Sequence, residues 1–403
     1  LILNFTLNLF RNFRRSANFN RSMLGAFAIL SLAGCSSFEQ WMQKTSEKRE
    51  FQVRETWVRS GTRKDNLAFR KINRMTPLIS GNLLIEANAL DGVAAYNLET
   101  GAEVWRLKID NGAETGAALI NDRLFFGASD GLFYSVSAKD GKVLWTFPTR
   151  TENIAEPLLD SSTGILYFLS GANSLYALDA ESGRQIWLYS RQDSSNFSIR
   201  GGSKPALKDG NLFVGFSDGA LVSLNAKTGN LQWEIQLNKN KKFRDLDAAP
   251  VVDGDLLYVS GYDDKLYALS PQKGDVQWKA DGGGYYPVTI AGDKLYYSTT
   301  GGEVLALDKV SGKKIWGYKL KEGIATQAKI YKGLAVFGES QGSLRFLDAN
   351  SGKETASFDP GRGIMSSPLA DEKADRVYFI SGEANVYAME AKWAAPKWIP
   401  YLE

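Results

Sequence analysis

From about residue 77 onward, apolar and polar side chains alternate in short runs divided by tight turns. "LYALD" (175–179) shows the period of two expected of a half-buried strand. Turns such as "ESG" (181–183), "KTG" (227–229) and "VSG" (310–312) then offer a glycine able to take positive φ in a hairpin. The strand that follows carries a tryptophan four residues after that glycine in six copies. Upstream, "NLFVGFSDG" (211–219) predicts another strand closing in a turn. Before it, "EPLLD", "KPALK", "APVVD" and "YPVTI" predict a short innermost strand in successive copies. Its leading proline is tolerated because the first residue of a strand need not donate to the ladder.

The shared glycine recurs at 101, 141, 183, 229, 274, 312 and 352. Intervals of 38 to 46 residues match one four-stranded propeller blade. An eighth copy, "SGEANVYAMEAK" (381–392), stops before its tryptophan strand, and "RETWVRSG" (54–61), with Trp57, has the missing form. The pattern therefore predicts an all-β, eight-bladed propeller of four-stranded antiparallel blades over residues 53–392. An N-terminal strand completes the last blade and closes the ring, which removes the exposed edges of an open array. Seven tryptophans in equivalent slots read as blade-to-blade packing. The tail, 393–403, adds Trp393 and Trp398.

Composition sharpens this picture in three places. The chain of 403 residues is 44% hydrophobic, with a formal charge of +3. Four arginines and no acid lie in residues 1–34, and beyond them 44 basic side chains face 45 acidic ones. No basic field points to nucleic acid. There is no histidine, which removes the commonest general acid/base and metal ligand. The single cysteine, Cys35, cannot form an internal disulfide. It ends the run "MLGAFAILSLAGC", too short to span a bilayer but suited to a signal-peptide core after its basic region. Leu32-Ala33-Gly34-Cys35 resembles the bacterial lipobox, which implies a signal peptide over 1–34 and a lipidated Cys35. Residues 35–52 then read as the lipidated N-terminus and a polar tether. Ser36, where an aspartate would resemble an inner-membrane retention signal, implies the outer membrane with the chain facing the periplasm.

The connections between blades are where the repeat varies. From tryptophan to inner-strand proline, Trp145 to Pro157 is 12 residues and Trp278 to Pro287 is 9. Two neighbours are longer, Trp187 to Pro205 at 18 and Trp233 to Pro250 at 17. The first contains Phe197, Ile199 and Arg200, the second Asp245 and Asp247. Arg200 and Asp245 each stand five residues before their proline, so the charges are expected on one face, close together and facing solvent. Two readings fit. One is an ion pair pinning two loops, worth little when exposed. The other is a recognition patch with Phe197 and Ile199 as apolar anchors and the charges setting register.

The repeat "A-x-[DS]-x-x-[ST]-G-x-x-x-W" resembles the tryptophan-docking repeat of pyrroloquinoline-quinone propellers. Quinoprotein alcohol dehydrogenases share it with the BamB family of outer-membrane β-barrel assembly lipoproteins. The segments Phe197-Ser198-Ile199-Arg200-Gly201 and Asp245-Leu246-Asp247 through Val251 are similar to the BamB pair "L-S-L-R-G" and "D-V-D-x-x-P-V". That resemblance implies a non-enzymatic scaffold without cofactor. It also implies contact from Phe197, Ile199, Arg200, Asp245 and Asp247 to the periplasmic POTRA domains of BamA, with unfolded outer-membrane proteins as clients. The alternatives are a quinoprotein dehydrogenase using pyrroloquinoline quinone, and a generic periplasmic binding propeller.

Overall fold

The computed structural model describes residues 49–63, 73–114, 116–153, 155–191, 202–240 and 244–395. The leader, Cys35, most of the tether, Phe197, Ile199, Arg200 and Trp398 lie outside the described residues. All regular structure described is β-strand, arranged as eight four-stranded antiparallel sheets. These are the blades of an eight-bladed propeller occupying the compact unit Gln52–Lys392. In the other unit, the Phe51 and Trp393 rings meet edge to face at 5.2 Å.

Blade 4 shows the plan of each sheet. A three-residue inner strand, Ala206–Lys208, is followed by Asn211–Gly215, Ala220–Asn225 and the outer strand Leu231–Gln236. The two middle strands are almost wholly buried, whereas the outer strand alternates between exposed and half-buried positions. Blade 8 has the strand order Glu50–Ser60, Asn385–Ala394, Arg376–Ile380, Leu369–Asp371, so its outer edge comes from the other end of the chain.

One contact repeats at seven of the eight seams. The indole of Trp57, Trp105, Trp145, Trp187, Trp233, Trp278 or Trp316 lies on the turn glycine of the following blade. A Cβ added to any of those glycines would approach the indole to within 2.6–2.9 Å. The same glycines hold φ between 67° and 76°, a left-handed conformation that side chains disfavour. Glycine is thus required twice over, by backbone conformation and by the close approach. Six of the indoles also donate Nε1–H to a carbonyl in the following blade at 2.9–3.2 Å, such as Trp105 to Ala138 and Trp316 to Ala349. Among the described residues Trp278 Nε1 lacks a hydrogen-bond partner, and Lys309 O, at the corresponding place, accepts the Tyr258 hydroxyl at 3.0 Å.

Opposite the tryptophan, at a register shift between third and fourth strands, stands a small residue: Ala95, Ser135, Ala177, Ser223, Ala268 or Ala306. Blade 7 reverses the pair, with Phe346 facing Ala356. The volume lost on the outer strand reappears on the third strand, the kind of exchange that cores tolerate best.

The seam between blades 8 and 1 carries a buried polar network. Glu86 on the second strand of blade 1 is fully buried, at a position occupied by Phe126, Phe168 and Val214 in the next three blades. Arg106 bridges Asp91 at 3.2 Å and Glu103 at 2.9 Å, and donates to the Tyr96 hydroxyl at 2.9 Å. Arg106 Nη1 and Asn88 Nδ2 both donate to Gly61 O at 2.9 Å, fixing the end of the N-terminal strand against blade 1. Among the described residues Glu86 Oε2 has no hydrogen-bond partner. Burial pushes its carboxyl up to about 8, with Arg106 opposing and Asp91 reinforcing the shift.

Two predictions follow from these seams. Gly229→Ala should lose about 2–4 kcal/mol, combining left-handed strain with overpacking against Trp187. Gly254→Ala, at φ 57° with nothing within 4 Å, carries only the strain. Equal losses for the two variants in urea denaturation would refute the double requirement. For Glu86, the folded chain retains between about pH 4.5 and 8 a proton that the unfolded chain releases. Stability therefore falls as pH rises through that window and levels off above it. Glu86→Gln should flatten that fall by up to about 1.4 kcal/mol per pH unit. An unchanged slope in urea titrations at successive pH values would exclude a buried neutral carboxyl.

Candidate partner-docking face

Each outer strand leads to the inner strand of the next blade through a connector on one face of the ring. The connectors entering blades 4 and 5, picked out by length, are both fixed to the same hairpin of blade 4, Phe216–Gly219. Where the first leaves blade 3, Arg191 is clamped by Asp218 at 2.7 Å and Glu234 at 2.8 Å. Its guanidinium also lies over the Phe216 ring at 5.4 Å. Where that connector arrives, Gly215 N donates to Ser203 Oγ at 3.4 Å and Lys204 pairs with Glu156. In the second connector, Leu237 N donates to Gly219 O at 3.1 Å and Leu246 N to Phe216 O at 3.2 Å.

The structure corrects the expected exposure of the aspartates. Asp245 is 0% exposed and Asp247 9%, so neither carboxylate is a solvent-facing charge. The cause is Leu246 between them. It is buried among Phe213, Leu221, Leu257 and Val259, in the seam between blades 4 and 5. Glycines make room for it, since a Cβ on Gly261 or Gly215 would collide with Leu246. Sinking Leu246 draws both flanking carboxylates below the surface. The sequence signal was present, an apolar residue between two acids, but the charges alone suggested a surface.

Asp247 lies on the other side of Leu246 from Asp245. Its Oδ2 has no hydrogen-bond partner among the described residues. Burial and then the neighbouring Asp245 raise its carboxyl well above the usual range, while Arg74 pulls it down. Arg74 belongs to the connector entering blade 1, across the ring, and lies over the Tyr285 ring at 5.1 Å. Tyr285 meets Tyr262 at 6.4 Å and Tyr286 at 5.1 Å, both edge to face. The Tyr286 hydroxyl donates to Met365 O at 2.6 Å, reaching the connector entering blade 8. Burial first, and then Asp247 and Glu114 against the opposing Arg74, set the Tyr285 hydroxyl at about 12. A second charged group sits on an inner strand. Burial depresses the Lys329 ammonium, on the inner strand of blade 7, and Glu156 supports its charge. Arg74, the tyrosines and Arg191 escaped the sequence reading because their partners are far away along the chain.

The chemistry of this face is that of a preorganised surface: long connectors with buried polar roots, tied at both ends. The family model described as outer membrane protein assembly factor BamB matches residues 90–318. The chain is 25% identical to the protein of that name from Shewanella oneidensis, over 76% of this chain and 82% of that protein. With the Escherichia coli protein of the same name it shares 24% identity, over 86% of this chain and 93% of that one. Among solved structures it resembles BamB from Moraxella catarrhalis with a TM-score of 0.70 at 18% identity, covering 84% of this chain and all of that one. A europium-containing methanol dehydrogenase gives the same TM-score at 14% identity, a likeness of fold alone.

Proposed function

Because this chain belongs to the family of the outer membrane protein assembly factor BamB, we propose that it is a non-enzymatic scaffold for folding and inserting outer-membrane proteins. On this reading the connector face docks the periplasmic POTRA domains of BamA, and a lipid on Cys35 tethers the chain to the outer membrane. The observation that carries it is the joint anchoring of the two lengthened connectors on the Phe216–Gly219 hairpin. Phe197, Ile199 and Arg200 supply apolar anchors and a charge that meet the partner. Asp245 and Asp247 act from beneath and shape the second connector rather than offering first contact. A surface already held in place loses little conformational freedom on binding.

Client strands find support elsewhere on the molecule. The outer strands of blades 2 and 3, "VLWTFP" (143–148) and "QIWLYS" (185–190), carry no charged side chain, whereas that of every other blade does. Val143, Leu144, Ile186 and Leu188 are exposed on them. Charges are the usual protection of a sheet edge, and an edge without them accepts an added strand.

For docking, Phe197→Ala and Arg200→Ala should each reduce co-purification of BamA from membranes about tenfold or more, with unchanged circular dichroism. In the same fractionation Cys35→Ala should leave the outer membrane. Full capture of BamA by both connector variants would sink the docking surface. For clients, photo-cross-linkers at positions 144 and 188 should capture an unfolded outer-membrane protein more strongly than cross-linkers on the outer strands of blades 5 and 6. Equal labelling from all four blades would remove the case for a client edge.

A further inference from the structure

We propose that Trp393 is a membrane-contact residue: with the segment it begins, it seats in the headgroup layer of the membrane that holds the Cys35 lipid. This rests on the lipid attachment proposed above and adds a second, non-covalent contact from beyond the last blade.

Three observations carry it. First, Trp393 is the described tryptophan that the repeat does not use. The seven seam tryptophans are buried or half-buried against turn glycines, whereas Trp393 lies on none of those glycines and is 37% exposed. Second, its strand runs beyond the blade plan. Asn385–Ala394 has 10 residues, against 5 or 6 in the third strand of every other blade. Its neighbour in the sheet, Glu50–Ser60, has 11. Where other blades turn back at a glycine, these two strands continue to the Phe51–Trp393 contact, edge to face at 5.2 Å. That contact joins the segment following Cys35 to the segment beginning at Trp393. Third, the sequence there has the chemistry of a headgroup layer. "KWAAPKWIPYLE" (392–403) sets two tryptophans and a tyrosine among two lysines, of which Lys392 pairs with Glu390 at 2.8 Å. Trp and Tyr favour that layer because the apolar ring leaves water while its N–H or O–H stays hydrated, and lysine meets lipid phosphate.

Magnitudes decide both the occupant and the form of the contact. An indole buries about 150–250 Å², well short of the roughly 800 Å² per partner of a stable protein interface. Lipid is therefore the better match. So short a segment, with two prolines and Glu403, holds a membrane only weakly by itself, as even a single acyl chain does. Phe51, however, stands 16 residues after Cys35, which extended chain spans in at most about 55 Å. The lipid keeps Trp393 beside the bilayer, and its insertion becomes an intramolecular step at high effective concentration. Lipid supplies the attachment, and the indole limits how far the anchored end swings from the surface.

The test uses the lipidated mature chain in vesicles of phosphatidylethanolamine and phosphatidylglycerol. Cys35 is the only cysteine, so with its thiol closed by lipid, Ala395→Cys is the single site for an environment-sensitive fluorophore. The label should be quenched by nitroxide-headgroup lipid and shielded from iodide in the water. Trp393→Ser should lose most of the lipid quenching and open the label to iodide. Trp393→Phe, which keeps an aromatic ring, should retain part of the quenching. A label open to iodide before any tryptophan is changed overturns the proposal. So does one shielded from iodide without lipid quenching, which puts the segment against protein. Equal lipid quenching in Trp393→Ser overturns the role of the indole. The lipid reading fails separately: an unmodified Cys35 in the mass spectrum of the purified chain removes the anchor. An acylated Cys35 with a label open to iodide removes the Trp393 contact alone.

Discussion

An indole laid flat on the turn glycine of the next blade is the contact on which this molecule depends. It joins two sheets through one dispersion-rich surface and one hydrogen bond, and it does so at nearly every seam. Because the glycine is already needed for a left-handed turn, the site that shapes each hairpin is also the site that receives the neighbour. Local and long-range requirements therefore select the same residue, which is how a sequence comes to favour one arrangement over its competitors. Seven such seams leave one to be solved differently. There, Tyr331 donates its hydroxyl to Ala391 O, and Phe346 fills the space a tryptophan would occupy.

A ring built this way has few places free to vary. Middle strands are buried on both sides and their turns are committed to packing, so individuality is confined to the connectors and outer strands. Both special features of this chain lie in those places. The lengthened connectors converge on blade 4, and the uncharged edges belong to blades 2 and 3. The two surfaces are thus close neighbours on the ring while pointing in different directions, one along the axis and the other outward. On the proposed reading, a scaffold that holds a partner and admits an extended strand gains from that separation, since neither surface obstructs the other.

The repeat was legible because its signal is local and redundant. A glycine, a tryptophan four residues later and a two-residue alternation recur often enough to fix blade number and strand order. Single deviations were not. Ala356 reads as a decayed copy until Phe346 is seen across the register from it. Glu86 reads as an ordinary polar position in a strand until the seam shows it fully buried beside Arg106, twenty residues away. The connectors entering blades 4 and 5 were found by length, which survives in one dimension. The burial of Asp245 and Asp247 was not found, because it follows from Leu246 sinking into a core assembled from other strands of blades 4 and 5.

That burial changes how charge works at this face. An exposed Arg–Asp pair would be screened by salt and would lose side-chain freedom on ordering, contributing little. A carboxyl sunk beside a second acid is the opposite case: burial first, and then its neighbour, disfavour the charged form and raise the Asp247 carboxyl well above the usual range. Such a design trades stability for positional definition, since an apolar pair would pack at lower cost but would not select one conformation. For a surface that must meet a partner in a single orientation, definition is the more useful property, and it explains why acids stand at the root of a loop whose apolar residue alone could have anchored it.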